Sequence, residues 1–86
     1  MGDKKTPEPK KKAISKDLKE LGARIKSLRV AAGYSNHEIF AYENGIDRVQ
    51  YGRYERGAAD MQYSSLLKII RALKVTPEEF FSEGFE

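Results

Sequence analysis

The chain has no cysteine, only three prolines and a single histidine among its 86 residues. No apolar run approaches the roughly 18 residues that a membrane span requires. Without cysteine, neither a disulfide nor a thiolate metal site can supplement the core, and the composition fits a reducing cytoplasm. The basic start lacks the apolar segment of a signal peptide. The expectation is a soluble, cytoplasmic protein with no membrane partner. No nucleophile–base motif, phosphate loop or metal cluster can be read from the sequence. It assigns no catalytic residue, metal ligand or cofactor, and the chain is not expected to be an enzyme. A chain this short forms one small domain that buries only about 60–65% of its unfolded surface, so its stability has to come from helix packing.

Charge is unevenly placed. The net charge is +3, but residues 1–16 carry six lysines against Asp3 and Glu8, which gives +4 and leaves −1 for the rest. The basic character therefore belongs to the start of the chain. Residues 1–15, lysine-rich and broken by Pro7 and Pro9, have too little apolar surface to offset their ordering entropy and read as a disordered arm. Such an arm either tracks phosphates, adding salt dependence, or only solubilises the protein. Residues 16–86 form the domain.

Within the domain, Leu18, Leu21, Ile25, Leu28 and Ala32 recur at three- and four-residue steps, the apolar stripe of a helix that starts near Ser15 or Lys16 and stops at Gly33. Ser35 and Glu38 have the spacing of a capping box, although Asn36 is an alternative cap. The helix they open carries Ile39, Phe40 and Ala41 and ends at Gly45. A further helix, from Tyr63 or Ser64 to Leu73 or Lys74, has Leu66, Leu67, Ile69, Ile70 and Leu73 as its core face, with Lys68, Arg71 and Lys74 solvated opposite. Thr76-Pro-Glu-Glu79 is a second capping box with proline at the first helical position. Glu78 and Glu79 there need only the helix dipole as explanation.

The stretch between these helices, Ala41-Tyr-Glu-Asn-Gly45-Ile-Asp-Arg-Val-Gln-Tyr-Gly-Arg-Tyr-Glu-Arg-Gly57, organises the rest. Asp47 is a good N-cap for a short helix over 48–56, and Gly57 stands where a left-handed C-terminal residue is needed. On a helical wheel Tyr51, Tyr54 and Glu55 fall inward, while Arg48, Val49, Gly52, Arg53 and Arg56 fall outward. So short a helix needs neighbours to hold it, and its outer face is strongly basic.

The spacing of Ala41, Gly45, Ile46, Tyr51 and Tyr54 resembles the helix-turn-helix of the phage repressor and Cro-like (Xre-type) DNA-binding family. Leu21 to Ser35 looks like that family's first helix and Ser65 to Phe80 like its last two, so the resemblance covers roughly residues 18–82. Two features depart from the family pattern: one extra residue between the Ser35 cap and Ala41, and Asn44 where an apolar residue is typical. The fold implied is all-α, a compact five-helix bundle of the lambda-repressor-like DNA-binding type with helices 2 and 3 forming the helix-turn-helix. The function implied is sequence-specific binding of double-stranded DNA by a repressor-like transcriptional regulator. In such a complex Arg48 and Arg53 are expected on guanine O6 and N7, Gln50 on adenine N6 and N7, and Val49 on a thymine methyl. Arg56 and the following loop would hold phosphates. Gly52 either lets the backbone or a long side chain approach the DNA or is simply tolerated at an exposed position. His37 falls where the family touches a phosphate, the alternatives being solvated surface or, least favoured, a metal ligand.

The resemblance also implies an internal salt bridge between Arg29 and Glu55, fixing the third helix to the first; the alternative is an exposed pair with little at stake. By analogy the protein is a homodimer on two half-sites about 34 Å apart, with Phe80, Phe81 and Phe85 as contact candidates, although Phe80 at least completes the core. The near-zero charge of the domain keeps a competing reading open, a protein-interaction module such as an antitoxin-like or antagonist partner.

Overall fold

Five helices follow one another, α1 (Pro7–Ala31), α2 (His37–Glu43), α3 (Arg48–Glu55), α4 (Tyr63–Ala72) and α5 (Pro77–Phe80). The computed structural model describes the backbone of residues 7–85 and the side chains of residues 16–85. Among the described residues there is no strand, and no helix is long and apolar enough to cross a membrane.

α1 begins at Pro7 rather than near Ser15. The prolines lie in its first turn, where backbone N–H groups have no intrahelical acceptor in any case. Lysines and Ala13 then carry the helix into its packed portion, because they are good helix formers. Residues 7–15, part of the stretch expected as an arm, thus fall within the span of α1, and residues 1–6 lie outside the described residues.

The core is built from Ile25 of α1, Phe40 and Ala41 of α2, Tyr51 and Tyr54 of α3, Leu66, Ile69 and Ile70 of α4, Leu73 just beyond it, and Phe80 of α5. The expected stripe on α1 is recovered in its middle, with Leu21 and Leu28 packed beside Ile25, but Ala32 is exposed past the helix end. Phe80 is wholly buried while Phe81 is half exposed, so Phe80 belongs to the core and leaves the dimer candidates.

Helix ends follow local chemistry. After α2, Gly45 has φ 69°, and the Ile46 N–H donates to Ala41 O at 2.8 Å while Gly45 N–H donates to Tyr42 O at 3.3 Å. These are the two bonds of a Schellman turn. The same pair closes α3 at Gly57, from Ala58 N–H to Arg53 O at 2.8 Å and from Gly57 N–H to Tyr54 O at 3.1 Å. α4 ends on Lys74 with φ 63°, a conformation that disfavours any residue with a β-carbon.

α2 is capped by Asn36, whose Oδ1 accepts from Glu38 N–H at 2.7 Å and Ile39 N–H at 3.1 Å. The Ser35–Glu38 capping box does not form, because Asn36 takes the first-turn donors. Ser35 then lies outside the helix, which accounts for the extra residue counted in the sequence. Asn44 is half-buried and donates from Nδ2 to Phe40 O at 2.9 Å, a carbonyl that also accepts the Asn44 backbone N–H at 3.2 Å, so a polar residue fits an otherwise apolar position by finding a partner for its amide. At α5 the Thr76–Glu79 capping box is complete, with Pro77 at the first helical position.

Two glycines set how α1 and α3 meet. A β-carbon on Gly22 would collide with the Tyr54 and Glu55 carbonyls, and one on Gly57 would lie 2.7 Å from the Lys19 Cα. α1 thus crosses the C-terminal end of α3 in direct backbone contact. Arg24, buried on the same helix, donates from Nε to Phe80 O at 2.7 Å and from Nη2 to Glu79 O at 2.8 Å, with Nη1 3.3 Å from Glu83 Oε2. It ties α5 to α1 by donating to the carbonyls at the end of that short helix.

Candidate nucleic-acid interface

Asp47 opens α3 by accepting from Val49 N–H at 2.9 Å and Gln50 N–H at 3.1 Å. Successive side chains then turn by about 100° per residue, and the fate of each follows. Tyr51 and Tyr54 enter the core. Phe40 packs on Tyr51 with ring centroids 5.3 Å apart, which locks α2 against α3. Val49, Arg53 and Arg56 recur at i, i+4 and i+7 and form one exposed row, beside Arg48 at the start of the helix. Val49 is 70% exposed, an apolar side chain held in water at the centre of a basic face.

Gln50 stands at the edge of that face, beside Arg53. It is half-buried, with Nε2 3.3 Å from the Tyr54 hydroxyl one turn further on. Its amide is thus turned toward Tyr54 rather than lying in the exposed row. Gly52 also departs from its expected place on the outward face: it is buried. A β-carbon there would lie 3.3 Å from both His37 Nε2 and Arg56 Nη1, so these side chains converge over the glycine and close it off. His37, the first residue of α2, is half-buried, and its ring is stacked over Tyr51 at 6.5 Å.

The Arg29–Glu55 pair is present and double. Arg29 Nε donates to Glu55 Oε2 at 2.7 Å, and Nη2 donates to Oε1 at 3.1 Å. Both side chains are almost sealed from solvent, 4% and 7% exposed. A third donor, Nη1, bonds the Tyr34 carbonyl. The hydrogen bond to Glu55 raises the Arg29 guanidinium above its already high range. The Tyr51 hydroxyl lies buried without a hydrogen-bond partner; burial first, then the Glu55 carboxylate, holds it well above the ordinary phenol range.

Three cations that the sequence did not single out support this arrangement. Arg24 anchors α5 as described above. Lys68, expected to be solvated, donates to Gly45 O at 2.9 Å and so braces the turn between α2 and α3 from α4. Lys26 joins Arg29, His37, Gly52, Glu55 and Arg56 around a cleft of about 210 Å³. It stands three residues before Arg29, and that spacing alone puts both on one face of α1. Among the described residues, no group of three or more side chains is placed to hold a metal ion.

Comparison with known proteins agrees with this geometry. A family model described as a helix-turn-helix domain matches residues 20–80. No functionally curated protein matches the chain. Among solved structures the chain is similar to the restriction-modification controller protein C.AhdI from Aeromonas hydrophila. The two share 36% sequence identity at a TM-score of 0.69, over 77% of this chain and 98% of that one.

Proposed function

Because the chain belongs to the Xre-like helix-turn-helix family, we propose that it is a sequence-specific, non-enzymatic regulator of transcription that binds double-stranded DNA with α3 in the major groove. The observation that carries this reading is the exposed row of Val49, Arg53 and Arg56 with Arg48 beside it, on a helix clamped from below by Arg29 and Glu55. Arg48 and Arg53 supply the forked donors that match guanine O6 and N7, and Val49 supplies contact for a thymine methyl. Arg56 and His37 hold phosphates and set register rather than sequence. The likeness to a controller protein supports a regulatory role. The protein acts in the cytoplasm and binds as a homodimer, with Phe81 and Phe85 as its contact, because one eight-residue reading helix covers a single half-site.

The test is binding to random duplex DNA at two salt concentrations, followed by selection of the tightest sequences. Steep loss of affinity with salt and enrichment of a palindrome with half-sites about 10 base pairs apart are expected. The −1 charge on the residues after Lys16 favours a second reading, a protein-interaction module that keeps the fold. Binding carried wholly by the lysines of residues 1–15, and lost on their deletion, would establish that second reading instead.

A further inference from the structure

The cleft between α1 and α3 is lined by five charged or titratable side chains and one glycine, and its charges are not balanced. Arg29 and Glu55 neutralise each other across two hydrogen bonds. Among the described residues, Lys26, His37 and Arg56 form no ion pair and no side-chain hydrogen bond; they come from α1, from α2 and from the residue that closes α3, and line the same cleft of about 210 Å³. The absence of a side chain at Gly52 is what lets His37 Nε2 and Arg56 Nη1 converge. Three unspent donors around one opening suit a single tetrahedral anion, since Lys supplies a point charge and Arg a planar fork.

We propose that Lys26, His37 and Arg56 form a seat for one phosphate of the DNA backbone, and that His37 takes up a proton when the seat fills, so that DNA binding is coupled to pH. This rests on the DNA-binding reading above. His37 is the one group at the cleft that ordinarily changes charge near neutral pH. It shares the cleft with Lys26 and Arg29 from α1, Glu55 from α3 and Arg56 at the end of α3, and its ring is stacked on Tyr51; Glu38 is its neighbour in sequence on α2 and is exposed. Glu55 is already committed to Arg29 by two hydrogen bonds, so the cleft has no free carboxylate of its own for His37. A phosphate supplies the missing negative charge and accepts the hydrogen bond that a protonated imidazole donates. Uptake of a proton on binding means tighter binding at lower pH.

The experiment uses the full chain. It holds one histidine, so the Cε1–H resonance reports on His37 alone. The resonance is titrated with pH in the free protein, with saturating duplex DNA, and with inorganic phosphate at matched ionic strength, alongside affinity measurements at about pH 6 and pH 8. On DNA the His37 midpoint moves to higher pH, inorganic phosphate moves it less, and Lys26→Gln and Arg56→Gln each shrink the movement. The affinity of the unaltered protein falls about three- to tenfold more across this range than that of His37→Gln. DNA binding with the His37 titration unmoved would overturn this inference and leave the DNA-binding reading standing. Absence of DNA binding would overturn both. An equal movement with inorganic phosphate would assign the seat to free phosphate and overturn its assignment to the DNA backbone.

Discussion

Glu55 accepts two hydrogen bonds from Arg29, at 2.7 and 3.1 Å, across the crossing of α3 and α1. The pair joins residues 26 positions apart in sequence and, with both side chains buried, fixes the rotation of α3 about its own axis. That rotation decides which side chains of α3 face outward. Removing one partner strands a buried charge, so Glu55→Gln and Arg29→Met are each expected to destabilise the domain by about 3–5 kcal/mol in urea unfolding. Replacing both together by apolar residues of similar volume should recover much of that loss. Single variants within about 1 kcal/mol of the parent would show that the pair is worth no more than a surface bridge.

Gly22 and Gly52 separate stability from binding. At Gly22 a methyl group would run into backbone carbonyls of α3, which cannot give way locally, so Gly22→Ala should lose about 3 kcal/mol. At Gly52 the obstructing atoms are the ends of the His37 and Arg56 side chains. Gly52→Ala should therefore hold or raise stability, by up to about 1 kcal/mol from helix propensity. It should also weaken DNA binding about five- to tenfold, the equivalent of about 1 kcal/mol. Paired melting curves and binding isotherms check both halves of this prediction.

Arg53 and Gln50 lie three residues apart on α3 and differ in what their side chains meet, Arg53 being exposed while Gln50 is turned onto Tyr54. Arg53→Ala is expected to cost about 1–3 kcal/mol in binding to the preferred site and to relax the base preference at one position. Gln50→Ala should leave the selected sequence unchanged, since Gln50 is turned onto Tyr54. A change of consensus in the glutamine variant would mean that this side chain swings outward on DNA.

Tyr51 gives a pH signature. Burial and then the Glu55 carboxylate raise its hydroxyl in the folded state, whereas an unfolded tyrosine titrates near about 10. The folded state keeps a proton that the unfolded chain releases, so this contribution is fully present below about pH 10. It is lost as pH rises further, by up to about 1.4 kcal/mol per pH unit. Tyr51→Phe should remove that alkaline dependence. Near neutral pH it should change stability by less than about 1 kcal/mol, because the hydroxyl has no hydrogen-bond partner to lose. Denaturation of both proteins at neutral pH and above pH 10 decides the matter.

Features that depend on near neighbours follow from residue type and spacing. The cap at Asp47, the left-handed turns at Gly45 and Gly57 and the box from Thr76 to Glu79 each involve donors and acceptors a few residues apart, and all are legible from residue type and spacing. The inward tyrosines of α3 were legible for the same reason, since a 3.6-residue period needs no knowledge of the partner helix. The Arg29–Glu55 pair was reached only through resemblance to a family, because nothing local relates two positions 26 residues apart.

Tertiary structure alone decided the rest. The choice of Asn36 over Ser35 turned on which oxygen meets the Glu38 and Ile39 N–H groups, a competition between equally plausible neighbours. A wheel divides α3 into inner and outer halves, but the burial of Gly52 depends on where His37 arrives from α2, and the withdrawal of Gln50 depends on the Tyr54 hydroxyl. Lys68 was expected to be solvated, and nothing local marked Arg24 or Lys26. The carbonyls that Arg24 and Lys68 meet, and the cleft that Lys26 helps to line, exist only once α1, α3, α4 and α5 are packed together.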